Sequence, residues 1–300
     1  MDLETLFQFD FLPPEAYRLT EVSPWHGHIP FGDWCITQLN PRILVELGTH
    51  KGDSYFSFCE CIRARSLSTQ AFAVDTWKGE EHSGTYGEEV YTEVLDYNQR
   101  NFSGFSSLVR MTFDKALAGF SDGSVDLLHI DGLHTYEAVR HDFETWEPKL
   151  SDRSVVLFHD TAERQRDFGV WRFWEEASRR HDAFEFLHSH GLGVLIFGKN
   201  APAAFRELSG LKGGDRRFVQ VYFEALGGRV SIAGLRSQIN ERERPLEERE
   251  RLLGAREGQL SSEEAALRIA RRIVRLRNRW APAGTLRRRM VSSARRLLQL

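Results

Sequence analysis

The sequence is short of cysteine, with three in 300 residues and no CxxC among Cys35, Cys59 and Cys61. So odd and sparse a set builds neither a disulfide framework nor a structural zinc site, and free thiols in a reducing compartment are expected. No segment approaches the 18 consecutive apolar residues of a membrane-spanning helix, and the opening MDLETLFQFDF lacks the basic start and apolar run of a signal peptide. The expected location is therefore the cytoplasm. A dinucleotide fingerprint is also missing: the glycines of VELGTHKG stand four apart, no G-x-G-x-x-G can be written there, and a pyrophosphate ligand is disfavoured. Neither sign of charge dominates the total of −3, yet the body is acidic and the last forty residues are rich in arginine with only Glu263 and Glu264 against them.

What is present is enough apolar content, 41%, for one large α/β domain with an accessory region. Short apolar runs at 42–48, 71–77, 107–113, 125–132 and 154–160 have the character of strands buried on both faces of a parallel sheet. Between them lie segments of crossover-helix length, such as SYFSFCECIRARS and TYEAVRHDFETWEPKL. Two further strands, FEFLHSH and GVLIFGK, lie so close together that a tight hairpin is predicted, with Gly191 and Leu192 at the turn. It adds an antiparallel strand to an otherwise parallel sheet.

Open α/β sheets bind ligands beyond the carboxyl ends of their strands. At those ends stand Glu46, Gly48 and Gly52 after the first strand, Asp75 after the second, Asp114 after the third, Asp131 after the fourth, and His159 with Asp160 after the fifth. The glycines permit a tight turn and close approach of backbone to ligand, and Asp75 stands where a carboxylate would accept hydrogen bonds from both ribose hydroxyls of an adenosine. The stretch DLLHIDGLHTYEAVRHDFETW also carries His134, Tyr136, Glu137, His141 and Asp142, of which the last four fall on a helix and suit capping or surface roles.

These residues resemble the class I S-adenosylmethionine-dependent methyltransferases. More narrowly, VDLLHIDGLHTYEAVRHDFETWEPKL followed by VVLFHD is similar to the methyltransferase family (family 24-like) often found beside glycosyltransferases in polysaccharide and natural-product pathways, over roughly residues 20–200. The resemblance implies a Rossmann-like, doubly wound α/β sheet of seven strands in the order 3-2-1-4-5-7-6, strand 7 antiparallel, followed here by a C-terminal helical extension. It implies S-adenosylmethionine held by Glu46 and the backbone near Gly48 and Gly52 at the methionine part, by Asp75 at the ribose, and by residues around Phe113 and Asp114 at the adenine, with Asp131 bordering the cofactor. The organisation expected is an N-terminal cap segment at 1–40, the methyltransferase domain at 41–200, a helical connection at 201–235 and a charged, basic tail at 236–300.

A sugar hydroxyl is a poor nucleophile while protonated, so a base or a divalent cation beside it is expected. Asp131 and Asp160, at neighbouring strand ends, are candidate ligands for Mg²⁺, and His134, with Asp131 and His159, forms the candidate catalytic group. Metal-dependent sugar O-methyltransferases of this kind usually carry a second acid two residues after the first and paired acids at the fifth strand. Here those positions are Leu133 and His159. The function expected is methylation of a hydroxyl on a sugar or glycosylated small molecule. Methylation at nitrogen or carbon, and a non-catalytic scaffold partnering a glycosyltransferase, remain open alternatives.

Around this centre, SPWHGHIPFGDW is expected to cap the site with Trp25, His26, His28 and Trp34, TWKGEEHSGTYGEEVY to form a lid or a solvated loop, and DFGVWRFWEEA to pack Trp171 and Trp174 inward. Ile239, Leu246, Leu253, Leu260, Leu267 and Val274 repeat every seven residues. That is half the seam of a dimeric coiled coil, interrupted by Pro245; a single helix laced with Glu and Arg is the other reading. In the terminal APAGTLRRRMVSSARRLLQL, arginines surround a narrow apolar face, which suits an anionic membrane surface, an acidic partner or a glycosyltransferase, and not nucleic acid.

Overall fold

The computed structural model describes residues 8–20, 24–80, 84–85, 87–165 and 167–280. The arginine-rich stretch 281–300 lies outside them. Two compact units are present, Met1–Gln238 and Ile239–Leu300.

The first unit is built on strands β1 (Ile43–Leu47), β2 (Gln70–Asp75), β3 (Ser106–Arg110), β4 (Val125–Ile130), β5 (Leu150–His159), β6 (Asp182–Phe186) and β7 (Leu192–Ile196). They form one sheet in the order 3-2-1-4-5-7-6, in which β1 to β5 pair in parallel and β7 runs antiparallel to both β5 and β6. The period of two sorts each central strand between two cores. Leu44, Leu127, Val155 and Leu157 face one apolar cluster, whereas Val45, Leu128, Val156 and Phe158 face the other. Helices cover both faces, so β4 is buried at every residue, Asp126 and His129 included. Each fully buried Leu, Val or Phe stabilises the sheet by about 1.5–3 kcal/mol relative to an exposed one.

Helices α1 (Ile29–Leu39), α2 (Asp53–Ala64), α3 (Glu88–Asn101), the single turn α4 (Phe113–Ala116), α5 (Tyr136–Trp146), α6 (Val170–Ala177) and α7 (Ala203–Gly210) follow in chain order. Helix α8 spans Gly213–Trp280, its early residues Val219, Phe223 and Val230 buried in the first unit's core. In the second unit the heptad row from Ile239 to Val274 is exposed, and Pro245 lies inside the helix without ending it.

Three local expectations need correction. The β6–β7 connection is five residues long, 187–191, because Ser189, His190 and Gly191 all adopt positive φ and turn the chain before a second strand begins. Strand β3 stops at Arg110 rather than Phe113, since Phe113 starts α4. In α6 the inward face is Val170, Phe173, Trp174 and Ala177; Trp171 is only half-buried, bonded through Nε1 to the Phe168 carbonyl and stacked beneath Arg164.

Candidate active site

The turn after β1 is the first wall of the site. Gly48 has φ +89°, and a Cβ built on it would stand 2.0 Å from the Asp131 carbonyl oxygen, so this position requires glycine where β1 and β4 end side by side. The Asp131 N–H donates to the Leu47 carbonyl at 2.8 Å, locking the two ends together. Gly52 also has positive φ, +84°, and the Phe56 ring occupies the space its side chain would need. Helix α2 begins directly after it, and Asp53 in its first turn receives Thr20 N at 2.8 Å, Thr20 Oγ1 at 2.6 Å and His26 Nε2 at 2.8 Å. The N-terminal segment is thereby tied to the loop.

Asp75 closes β2 and organises its surroundings. Its Oδ2 accepts from Thr49 N at 2.9 Å and His50 N at 3.0 Å, and its Oδ1 from Trp77 N at 2.7 Å. A carboxylate offers about four lone-pair positions, so three backbone donors leave room for roughly one more partner rather than the two ribose hydroxyls expected. His50 and Trp77 both have positive φ, and Trp77 Nε1 donates to the His50 carbonyl at 2.9 Å.

These walls enclose a cavity of about 330 Å³ lined by Gly48, Thr49, His50, Asp75, Thr76, Gly79, Thr112, Phe113, Asp131, Gly132, Leu133 and His134. Gly48, Asp75, Asp131 and His134 thus meet in one space. Glu46 and Asp114 do not share it. Glu46 is fully buried, its Oε2 2.8 Å from His129 Nδ1, and burial holds its carboxyl above the ordinary value. Asp114 faces outward on α4 and pairs with His141 at 2.9 Å, so Phe113 alone of that pair reaches the cavity. Gly52 stands outside the lining and shapes it through the turn. Trp25, His28 and Trp34 are also buried away from it: the Trp25 ring packs against His129 and His159, sealing the sheet's end instead of presenting a face to a ligand.

At the far edge lies the ionic group. His134 Nε2 is 3.2 Å from Asp131 Oδ1 and 3.0 Å from Asp160 Oδ2, while His159 Nδ1 is 3.3 Å from an oxygen of each aspartate. Burial pulls the His134 pKa down, but the two carboxylates outweigh it and raise it to about 9. Held so, His134 keeps its proton at neutral pH and is not free to act as the expected base. Against the upward push of burial, the His159 charge and the bond from His134 hold both carboxylates below their ordinary range. His159 is 4% exposed and stands behind the carboxylates, where it positions them rather than meeting a substrate. Asp160 has φ +63°, a conformation uncommon for a residue other than glycine, and it turns the carboxylate toward Asp131 at the strand's end.

The cavity also recruits residues the sequence did not single out: Thr49, His50, Thr76, Gly79, Thr112 and Gly132. Their signal was position alone, each lying just beyond a strand end. A Cβ on Gly132 would stand 2.6 Å from the Phe113 ring, so a larger residue there would displace that ring.

The sheet carries its cavity at the carboxyl ends of its central strands, where open α/β sheets bind their ligands. Residues 45–161, from β1 to just past β5, match the family model described as Methyltransferase domain. The uncharacterized protein y4gI of Sinorhizobium fredii (strain NBRC 101917 / NGR234) is 54% identical over 177 residues, which cover 59% of this chain and 19% of that protein, so the chain spans less than a fifth of its relative's length. Among solved structures, a putative caffeoyl-CoA O-methyltransferase from Staphylococcus aureus is 14% identical, covering 66% of this chain and 93% of that one with a TM-score of 0.46. A methyltransferase from Geobacter sulfurreducens is 16% identical over 58% and 80%, with a TM-score of 0.43. Among the described residues no helix is long and apolar enough to cross a membrane.

Proposed function

We propose that this chain transfers the methyl group of S-adenosylmethionine to a hydroxyl of a sugar or glycosylated small molecule. The observation that carries the reading is the continuity of the cavity, which joins the Asp75 turn at one end to Asp131 and His134 at the other. Nucleoside recognition and hydroxyl activation then share one space, and the sulfonium, already activated, needs mainly orientation. The C–S bond breaks as the C–O bond forms, S-adenosylhomocysteine leaves, and the hydroxyl proton passes to solvent water. The sugar acceptor rests on the resemblance of HIDGLHTYEAV and VVLFHD to methyltransferases that work beside glycosyltransferases.

The residues also fit a divalent cation, Mg²⁺ or another. Asp131, His134 and Asp160 each offer one ligand atom, all within 4.8 Å of one another, and Asp160 Oδ1 is buried without a hydrogen-bond donor. A cation there would acidify an acceptor hydroxyl bound to it, so that a weak base suffices.

Calorimetry with S-adenosylhomocysteine tests the cofactor assignment. Binding to the intact protein is expected, and an analogue lacking the one ribose hydroxyl that reaches Asp75 should bind about 1.5–3 kcal/mol more weakly, the range for a hydrogen bond to a charged group. Asp75→Ala should lose at least as much and melt lower, because Thr49, His50 and Trp77 lose their shared acceptor. No binding by the parent protein, or equal affinity for both deoxy analogues and the parent ligand, would remove the assignment. The acceptor class is tested by mass spectrometry of glycans made with and without the protein, where a loss of about 14 Da on a sugar is expected without it (CH₃ replaced by H) and unchanged glycans would count against it.

A further inference from the structure

We infer that Asp131, His134 and Asp160 form a two-oxygen, one-nitrogen site that selects a first-row transition dication, Mn²⁺ above all, over Mg²⁺. The inference rests on the proposed cation site, not on the identity of the methyl acceptor.

The spacing is the first argument. Two ligands placed cis on one ion at about 2.1–2.2 Å lie about 3.0–3.1 Å apart. His134 Nε2 stands 3.2 Å from Asp131 Oδ1 and 3.0 Å from Asp160 Oδ2, so two edges of a facial triangle already have that length. Asp131 and His134 line the cavity and Asp160 stands behind them, the three ligand atoms lie within 4.8 Å of one another, and no other group of three such residues comes together among the described residues.

A second observation points to a missing partner. Asp160 is 6% exposed, yet its Oδ1 receives no hydrogen bond, with His159 Nδ1 at 3.3 Å and His190 Nδ1 at 3.7 Å as neighbours outside bonding geometry. A buried carboxylate oxygen without a donor is costly unless something else meets it. A bound dication and its water supply that contact.

Donor chemistry then decides which ion. Mg²⁺ demands hard oxygen ligands and gives up water reluctantly, whereas an imidazole nitrogen suits the later divalent ions, which also gain from the Irving–Williams trend. A site of three oxygens would favour Mg²⁺; here one of the three donors is the imidazole nitrogen of His134, and Leu133 beside it offers none. His159 stands behind both aspartates and fixes their orientation, the part played by an outer partner of metal-binding carboxylates. A dication bound here would displace the Nε2 proton that His134 holds between the carboxylates, and the two carboxylates would then balance its charge.

Titration of the full chain with Mn²⁺, followed by the loss of the free-ion electron paramagnetic resonance signal, and competition by Mg²⁺ test the inference. Mn²⁺ is expected to bind at least tenfold more tightly than Mg²⁺, and Co²⁺ should develop visible absorption bands shifted by nitrogen ligation. His134→Ala should weaken Mn²⁺ by tenfold or more and remove the Co²⁺ band shift, and His134→Asp should narrow or invert the preference toward Mg²⁺. Circular dichroism and thermal melts of the same variants confirm that each is folded, and S-adenosylhomocysteine binding by the parent protein without added metal separates this inference from the cofactor assignment. Equal or tighter binding of Mg²⁺, no binding of either ion to the folded parent, or Mn²⁺ affinity indifferent to His134→Ala in a folded variant would overturn it.

Discussion

Replacing Gly48 by alanine should abolish measurable S-adenosylhomocysteine binding and lower stability by about 2–4 kcal/mol, combining a left-handed backbone cost with a clash that only chain movement relieves. The added Cβ would stand 2.0 Å from the Asp131 carbonyl oxygen and 2.6 Å from its carbonyl carbon, both backbone atoms that cannot rotate away. Relief requires β1 and β4 to part at their carboxyl ends, which breaks the bond from Asp131 N to the Leu47 carbonyl and strains that from Gly48 N to the Val74 carbonyl on β2. Thr49 and His50 then lose their register with Asp75, and Asp131 moves away from Asp160. One methyl group thus disturbs both ends of the cavity. Gly104→Ala is the matched control, since nothing lies within 4 Å of its added Cβ. Thermal melts and calorimetry on both variants decide the matter: a Gly48→Ala protein that melts with the control and binds the ligand normally would show that the turn is not the hinge of the site.

The seven-stranded plan was legible because buried parallel strands advertise themselves. ILVEL, FAV, DLLHI and VVLF are nearly continuous apolar runs, and each occupies a position with both faces covered. Boundaries were less legible where polarity and burial part company. Leu150 to Arg153 extends β5 at its start although Ser151 and Asp152 resemble a turn; Ser151 is satisfied there by Asp126, whose carboxylate also receives Arg42. At the other end, HSHG has no pattern that separates a strand end from a bend, and its three consecutive positive φ values appear only in the fold.

The site was legible in its strand-end carboxylates and illegible in which of them face the ligand. Asp75, Asp131 and Asp160 stand where the strand ends predicted. Glu46 could not be distinguished from them by position, yet it points into the interior because His129, on the adjacent strand, offers a buried partner at 2.8 Å. Asp114 moved out of the group once Phe113 opened a helical turn, since the two side chains then project on different sides. The role of His134 depends on distance, which spacing in sequence does not supply: between two carboxylates it is a cation or a ligand, not a base.

Asp142 provides the second large effect, and it is one of pH. The residue is 7% exposed on the inner face of α5, and burial, opposed by His141 and aided by Asp114, raises its pKa from the usual 3.8 to about 7. Between those two values the folded chain holds a proton that the unfolded chain has released, so this group makes stability fall as pH rises from about 4 to about 7, by roughly 4 kcal/mol in all. Asp142→Asn removes the ionisation at nearly constant volume. Urea unfolding of both proteins at pH 5 and pH 8 isolates the term, because every other titrating group is common to the pair. The stability of the asparagine variant relative to the parent should grow by about 2–3 kcal/mol between those pH values, and a difference independent of pH would mean that the carboxyl is solvated in the folded state. The consequence reaches the cavity, since Asp142 Oδ2 lies 3.4 Å from the Cβ position of Gly132, a lining residue. Ionisation above pH 7 therefore places an unpaired charge directly behind the wall formed by Gly132 and Phe113. Cofactor affinity should weaken in the parent protein over the same range and stay level in Asp142→Asn, which ties the stability of α5 to the shape of the site it supports.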